Sequence, residues 1–299
     1  MRTISLSREA APDYLVIGHV TRDLMPDGSY RSGGTVTYAG LAALRLGLRV
    51  GAVTSAVPGD LHLEAGMALK VKPAPQTTTF ENLYSGGTRR QFCRAVAARL
   101  CLEDVPEAWK GARIVHLGPV AQEVDPRVVS GFAGALVGVT PQGWLRRWDA
   151  DGFVRRADWP EARRVLAEAG AVILSIDDLG GDRALLSQWV RWARLLVLTV
   201  GKDGAIVYHG GRQRRFPAFA VAEVDPTGAG DVFAAAYLMR LSETGDAYEA
   251  AQYANCAASF VVEGIGAEEM PTRQAVEWRL RHGRLRSAGS HHEPAFQPE

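Results

Sequence analysis

Five short β-prone apolar runs, separated by helix-like stretches, constrain the fold more than any other feature of this sequence. They lie at 14–18, 50–55, 113–117, 171–175 and 195–200. Apolar runs of this length, rich in Val, Ile and Leu, are typical of buried strands. Strands that alternate with helices typically pair in one mostly parallel sheet, and the helices cover its two faces. We therefore expect an α/β fold with a mostly parallel central sheet.

The composition narrows the class of protein further. The 299 residues are 47% hydrophobic and carry a net charge of +1. A near-neutral chain offers no long-range attraction to nucleic acid or to a charged membrane surface, so we expect neither as a partner. No apolar run is long enough to span a membrane, and the N-terminal segment lacks the pattern of a secretory signal. These features predict a cytoplasmic protein.

Two irregular segments interrupt the alternation in the N-terminal half. The first, at 23–34, is rich in glycine and other turn-forming residues. The second, at 77–92, has β-prone arms on both sides of a Ser-Gly-Gly turn, as in a hairpin. We expect residues 20–34 and 74–96 to form a small β appendage, although an ordinary surface hairpin fits the second segment nearly as well.

After Asp231 the sequence changes to a helical pattern. Apolar residues recur three or four positions apart in the segments 232–241, 247–263 and 273–283. The last segment, 287–299, is rich in small and polar residues and is typical of a flexible tail. We expect one domain over residues 1–286, with this tail behind it.

The strongest chemical signal is the sequence Gly228-Ala229-Gly230-Asp231, which joins a strand-like end to an amphipathic helix. Such a turn aims backbone N–H groups and the positive end of the helix dipole at one point, where an anion can bind. A carboxylate beside an anion site suits phosphoryl transfer, since it can accept the proton of an attacking hydroxyl. The pattern alone fits equally well a tight turn followed by a capped helix.

This segment resembles the C-terminal signature of the PfkB (ribokinase-like) family of carbohydrate kinases. The likeness includes Asp225 and Thr227 before the turn, Asn255 one helix later, and the segment 264–276. In the N-terminal half, an Asp after the first strand and a Gly-Gly pair before a helix agree with the family. The segment 199–205, TVGKDGA, is similar to its TxGxxGA nucleotide loop. The resemblance spans nearly the whole chain and implies a ribokinase-like fold in which the β appendage is a lid.

The resemblance also implies a role for each matching residue. Asp231 would be the general base, and the anion hole would consist of Gly228, Ala229 and Gly230. The acceptor would contact Asp23, Gly33, Gly34 and Tyr38. The nucleotide would contact Thr199, Gly201, Lys202, Gly204, Thr227 and Asn255, with 201–204 as a βα loop at the carboxyl edge of the sheet. The metal would lie near Asp178, and Asp225 matches positions that help to hold a monovalent cation in many members.

Two positions depart from the family pattern. Where many members have NxxE, this chain has Ser175 and Asp178, and Asp177 is an equally available acid for magnesium. Where the pattern GGxxxN ends in Asn, this chain has Tyr38, which favours a cyclitol, a modified sugar or a nucleoside over plain ribose or fructose. Plant inositol kinases of the family have a similar aromatic residue. Further candidates for the acceptor pocket are polar and aromatic residues at strand and loop ends: Gln122, Glu123, Gln142, Trp144 and Arg146. Trp144 fits equally well a packing role in the core.

The resemblance predicts an ATP-dependent kinase that uses Mg²⁺ and phosphorylates a hydroxyl group of a sugar or cyclitol, inositol among them. A nucleoside kinase is the main alternative, and a catalytically inactive binding module of the same fold is another. An activating K⁺, ADP as donor and a homodimer through the lid all remain compatible with the sequence.

Overall fold

The structure, a computed structural model, describes residues 10–61, 66–85 and 88–286. The predicted tail and the glycines of the predicted hairpin turn lie outside the described residues. The strands are β1 (Tyr14–Ile17), β2 (Thr21–Leu24), β3 (Tyr30–Gly33), β4 (Val50–Ala56), β5 (Ala68–Pro73), β6 (Thr79–Ser85), β7 (Thr88–Ala95), β8 (Ile114–Leu117), β9 (Leu136–Val139), β10 (Arg146–Trp148), β11 (Val154–Arg156), β12 (Ala171–Ser175), β13 (Leu195–Thr199), β14 (Ala205–His209) and β15 (Arg212–Phe216). The α-helices are α1 (Thr35–Arg45), α2 (Ala162–Glu168), α3 (Arg183–Trp192), α4 (Ala229–Thr244), α5 (Ala247–Val261) and α6 (Arg273–His282).

The centre of the described part of the chain is a nine-stranded sheet in the order β15-β14-β13-β12-β9-β8-β1-β4-β5. The strands from β13 to β5 run parallel, whereas β14 and β15 pair antiparallel at one edge. All five predicted apolar runs are strands of this sheet, namely β1, β4, β8, β12 and β13. The predicted α/β fold is confirmed.

Side chains of the central strands pack into two hydrophobic cores, one on each face of the sheet. Because successive residues of a strand point to opposite faces, Tyr14 and Val16 of β1 pack with α1, α4 and α5, and Leu15 and Ile17 pack with α2 and α3. The helices therefore cover both faces, which explains why the parallel strands are apolar along their whole length.

Helix α4 occupies the middle of the first core, where residues 232–239 are buried. It begins after Gly228 and ends at Gly245, both in the left-handed conformation. Asp246 then caps α5 by accepting hydrogen bonds from the N–H groups of Tyr248 and Glu249. This arrangement fixes the N-terminus of α4 at the carboxyl edge of the sheet. None of the described helices has the length and apolar character needed to cross a membrane.

A second sheet, here called the small sheet, consists of β2, β3, β6 and β7 in the order β3-β2-β6-β7. Its strands fall within 20–34 and 74–96, the segments predicted to form the lid. β2 and β6 pair in parallel, and each continues into an antiparallel partner. The small sheet thus joins two segments that are distant in the sequence.

The segment 201–204 differs from the prediction of a βα loop. It forms a single 3₁₀ turn that leads from β13 into the antiparallel strand β14. The reason is the apolar run of Ala205–His209, which pairs residue for residue with Leu195–Thr199 instead of entering a helix. The turn still lies at the carboxyl end of β13.

Candidate active site

A cavity of about 520 Å³ lies between the small sheet and the carboxyl edge of the central sheet. This volume is typical of sites for small molecules. All but two of the predicted site residues line it, namely Asp23, Gly34, Tyr38, Asp178, Thr199, Gly201, Lys202, Gly204, Thr227, Gly228, Ala229, Gly230, Asp231 and Asn255. The fold thus brings together residues from both halves of the chain.

Asp231 stands in the first turn of α4 and faces this cavity. The hydroxyl group of Thr35, at the start of α1, donates a hydrogen bond to its carboxylate. Burial raises the pKa of Asp231 to about 6, while the Thr35 hydrogen bond and the charge of Arg146 limit the rise. A carboxyl group that titrates near neutral pH is suited to accept a proton during a reaction.

The turn before Asp231 requires glycine at position 228. Gly228 has φ +81°, and a Cβ there would lie 2.2 Å from Cδ1 of Tyr38. The N–H group of Ala229 donates to the carbonyl oxygen of Pro226 at 3.2 Å, so it is engaged within the turn. The N–H groups of Gly228 and Gly230 and the positive end of α4 provide the potential for binding an anion.

The carboxylate of Asp23 lies directly on the Gly-Gly segment before α1. A Cβ on Gly33 would stand 2.5 Å from Oδ2 of Asp23, so only glycine allows this approach. The hydroxyl group of Thr21 donates to Oδ1 of Asp23 at 3.1 Å. Gly33 does not line the cavity; it makes room for the carboxylate that does.

Strands β6 and β7 of the small sheet add three cavity residues that were not predicted from the sequence: Phe80, Asn82 and Gln91. Nε2 of Gln91 donates to Oδ1 of Asn82 at 3.1 Å across the β6–β7 pair. Alternation along β6 places Phe80 and Asn82 on one face, but a strand pattern alone does not say which face meets a ligand.

Of the five further candidates for the acceptor pocket, Gln142 and Arg146 line the cavity, whereas Gln122, Glu123 and Trp144 do not. Nη1 of Arg146 donates to the carbonyl oxygen of Val120 at 3.0 Å, and its guanidinium lies 5.4 Å from the centre of the Phe80 ring. The Arg146 charge acts on both Asp231 and Asp178, whose pKa it lowers against the effect of burial. Arg146 therefore offsets part of the negative charge in the cavity.

At the opposite end, helix α5 and the segment after β15 form a largely apolar wall. Phe219, Val221, Ala258 and Val262 line it. Asn255 is buried there, and its Nδ2 donates to the carbonyl oxygen of Phe216 at 3.0 Å. Asn255 thereby holds the segment after β15 against α5 and shapes this wall.

Asp178 is the half-buried acid that follows the end of β12. Its carboxylate accepts hydrogen bonds from the N–H group of Ser175 at 3.0 Å and from Nε2 of Gln142 at 3.1 Å. Burial raises its pKa. Among the described residues no group of three or more His, Cys, Asp and Glu side chains is arranged to hold a metal ion. Asp178 and Asp177 suit Mg²⁺ shared with a phosphate ligand, because this ion commonly uses one or two carboxylates, phosphate oxygens and water.

Asp225 is the second predicted site residue that does not line the cavity. Its Oδ1 accepts a hydrogen bond from the N–H group of Thr227 at 2.9 Å, and its Oδ2 faces Arg31 of β3. Arg31 was not identified from the sequence, since only the fold brings β3 beside the segment before α4.

Comparisons with known proteins agree with the predicted family and fold. Residues 161–273 match the family model described as pfkB family carbohydrate kinase. The cytidine kinase of Thermococcus kodakarensis is 29% identical over 251 residues, which cover 76% of this chain and 87% of that protein.

Two solved structures share the fold over most of this chain. One is a pyrophosphate-dependent kinase of the ribokinase family, complexed with a pyrophosphate analog and myo-inositol; it has a TM-score of 0.72 and 21% identity over 88% of this chain and 99% of its own. The other is the ribokinase of Arabidopsis thaliana, complexed with ribose and ATP, with a TM-score of 0.67 and 19% identity over 91% of this chain and 99% of its own. The chain therefore has the ribokinase fold, carries a match to the pfkB family carbohydrate kinases over residues 161–273, and has relatives that are kinases, phosphotransferases that use an alcohol group as acceptor.

Proposed function

We propose that this kinase transfers the γ-phosphoryl group of ATP to a hydroxyl group of a sugar or cyclitol, with Asp231 as general base. The position of Asp231 carries the proposal. Its carboxylate faces the cavity directly after the glycine turn at the start of α4, and its pKa is about 6. A base and an anion site are thus adjacent, as in-line phosphoryl transfer requires.

In this mechanism the acceptor hydroxyl gives its proton to the Asp231 carboxylate as its oxygen bonds to the γ-phosphorus. The bond from phosphorus to the bridging oxygen breaks, and ADP leaves. The N–H groups of Gly228 and Gly230 stabilise the charge on the transferred group. Thr35 orients the carboxylate. Mg²⁺ near Asp178 would neutralise phosphate charge when bound.

The apolar wall formed by Phe219, Val221, Ala258 and Val262 supports a nucleotide as donor. A purine ring gains from burial against such side chains, whereas pyrophosphate has no apolar surface to bury. The distinction between ATP and pyrophosphate as donor matters because one solved structure of the same fold is a pyrophosphate-dependent kinase. We expect turnover with ATP and background rates with pyrophosphate.

The polar surroundings of the other end support a polyhydroxylated acceptor. Asp23 can accept hydrogen bonds from hydroxyl groups, and Asn82, Gln91 and Gln142 supply both donors and acceptors. A ring with hydroxyl groups around its edge can use all of these groups at once. Inositol is such a ring, and the solved complex with myo-inositol has the same fold.

A nucleoside is the second candidate acceptor, and one observation favours it. The ring of Phe80 lines the same end of the cavity, where a base can stack on it. The cytidine kinase relative, which covers 76% of this chain, points the same way.

The deciding experiment measures ADP release with Mg²⁺ and ATP against pentoses, hexoses, inositols and nucleosides. For the preferred acceptor, we expect Asp231→Asn to lower kcat roughly 10²–10⁴-fold while ATP still binds, because the variant lacks the base but keeps the turn. ATP binding without turnover on any acceptor would favour the inactive binding module. Turnover that survives in Asp231→Asn would refute Asp231 as the base.

A further inference from the structure

Arg31 and Asp225 link the small sheet to the segment that leads into α4. Nη1 of Arg31, on β3, lies 3.6 Å from Oδ2 of Asp225. The stem of Arg31 lies beside Gly266, where a Cβ would stand 3.4 Å from its Cδ. The guanidinium therefore sits where three segments meet: the small sheet, the turn before the base, and the loop after α5.

The Asp225 carboxylate already has partners on both oxygens. Oδ1 accepts from the N–H group of Thr227 at 2.9 Å, and Oδ2 accepts from the N–H group of Gly266 at 3.4 Å. Burial acts to raise the pKa of Asp225, but these hydrogen bonds and the Arg31 charge hold it below its ordinary value. A monovalent cation at this carboxylate would meet the guanidinium as a like charge. The residues around Asp225 thus do not fit the monovalent cation that the family pattern suggests.

We propose that Arg31 takes the place of a monovalent cation in this kinase, so that its turnover does not depend on K⁺. The guanidinium balances Asp225 and holds the turn that precedes Gly228 in the shape that binds phosphate. Arg31 is a positioning residue, because it acts through Asp225 and Thr227 rather than on the reacting atoms. Since Arg31 belongs to the small sheet, the same contact ties the position of that sheet to the turn.

The turnover test, which rests on the proposed function, compares the wild type with Arg31→Gln and Arg31→Lys in K⁺-free buffer and with added KCl or NaCl at equal ionic strength. We expect the wild type to change less than about twofold on addition of K⁺. Arg31→Gln should lose about tenfold in kcat without K⁺, the effect of one lost charge contact, and recover with K⁺ but not with Na⁺. Arg31→Lys keeps the charge and should retain most of the activity.

Arg22→Gln is the matched control, because Arg22 is also an arginine of the small sheet and pairs instead with Asp60 at 3.1 Å. It should behave as the wild type does toward K⁺. A wild type that K⁺ activates severalfold would overturn the proposal. So would an Arg31→Gln variant that is fully active without K⁺, or one whose loss K⁺ does not restore.

Thermal unfolding gives a second readout that needs no turnover and no acceptor. Binding of a cation to the folded state alone raises Tm. We expect K⁺ to raise the Tm of Arg31→Gln more than Na⁺ does, and to leave the wild type and Arg22→Gln unchanged relative to Na⁺. A K⁺-specific rise in the wild type would overturn the inference, and so would its absence from Arg31→Gln. This result stands even if no acceptor is turned over, which would count against the proposed function alone.

Discussion

The ring of Tyr38 lies against Gly228, so that a methyl group on this glycine would stand 2.2 Å from Cδ1 of the ring. The contact joins α1, which follows the Gly-Gly segment of the acceptor side, to the turn that precedes the base. Tyr38 is 2% exposed and packs in the same core as α4. Tyr38 therefore packs against the glycine turn at 228–230 and also lines the cavity.

Replacing Gly228 by Ala should destabilise the protein and abolish most of its turnover. Two costs combine: the left-handed conformation at φ +81° and the overlap with Tyr38. Together they should lower the free energy of unfolding by about 2–5 kcal/mol, as measured by denaturant titration. Turnover should fall with it, because the N–H groups of the turn move.

Gly210→Ala separates these two costs. Gly210 also has a positive φ, +57°, but nothing lies within 4 Å of its added methyl group. Gly210→Ala should lower the free energy of unfolding by only about 1–2 kcal/mol, which is the cost of the left-handed conformation. Equal losses in the two variants would mean that the Tyr38 contact does not constrain the turn.

The hydroxyl group of Tyr38 leads to a second prediction. It is buried and has no hydrogen-bond partner among the described residues. A buried donor without a partner costs free energy, so Tyr38→Phe should raise the free energy of unfolding by about 1 kcal/mol while the ring keeps its packing. Denaturant titration measures the change. A loss of stability in Tyr38→Phe would show that the hydroxyl group has a partner in the folded protein.

The sequence predicts those parts of the site that are local. The order strand, glycine turn, helix predicts the turn at Gly228 and the start of α4, because all of these residues are consecutive. The role of Asp231 as base stays a prediction. The central strands can be predicted from the sequence equally well, since each is one uninterrupted apolar run. The turn at 201–204 was misread, because two adjacent apolar runs do not reveal whether the chain returns as a strand or continues as a helix.

Contacts between distant segments explain the rest. Thr35 meets Asp231 across 196 positions, and Arg31 meets Asp225 only because β3 lies beside the segment before α4. In the sequence, Asn82 and Gln91 do not differ from other polar strand residues. Only the small sheet places them at the cavity. No periodicity or composition encodes such pairings.

The raised pKa of Asp231 predicts the pH dependence of the reaction. A base must be ionised, so kcat/KM should fall about tenfold per pH unit below about pH 6 and level off above it. An acceptor without a titrating group of its own, such as inositol, keeps the profile simple to interpret. A plateau that extends unchanged to pH 4.5 would contradict Asp231 as the titrating base.

The same shift predicts how stability varies with pH. Burial raises the pKa of Asp231 in the folded protein above its ordinary value of 3.8, so folding disfavours the ionised form. The contribution of Asp231 to the stability of the protein is lowest above about pH 6, where the side chain is ionised, and rises as the pH falls toward 4. Asp231→Asn removes the penalty and should be roughly 1–3 kcal/mol more stable than the wild type at pH 8, with the difference vanishing near pH 4. Thermal or denaturant unfolding at both pH values tests the sign.

Asp178 and Asp177 allow the metal-binding acid to be identified by comparison. Asp178 is half-buried and held by Ser175 and Gln142, whereas Asp177 lies beside it on the same 3₁₀ turn, is exposed and also lines the cavity. We expect Asp178→Asn to raise the Mg²⁺ concentration for half-maximal rate about tenfold, since a carboxylate held by hydrogen bonds orients the ion or its water better than an exposed one. Asp177→Asn should change it less than about threefold. Asn keeps the size of the side chain but offers one acceptor oxygen to the two donors, Ser175 N–H and Gln142 Nε2, so thermal unfolding of both variants is measured alongside to separate folding from metal binding. A larger effect in Asp177→Asn would assign the metal to that residue and leave Asp178 as the acid that shapes the turn.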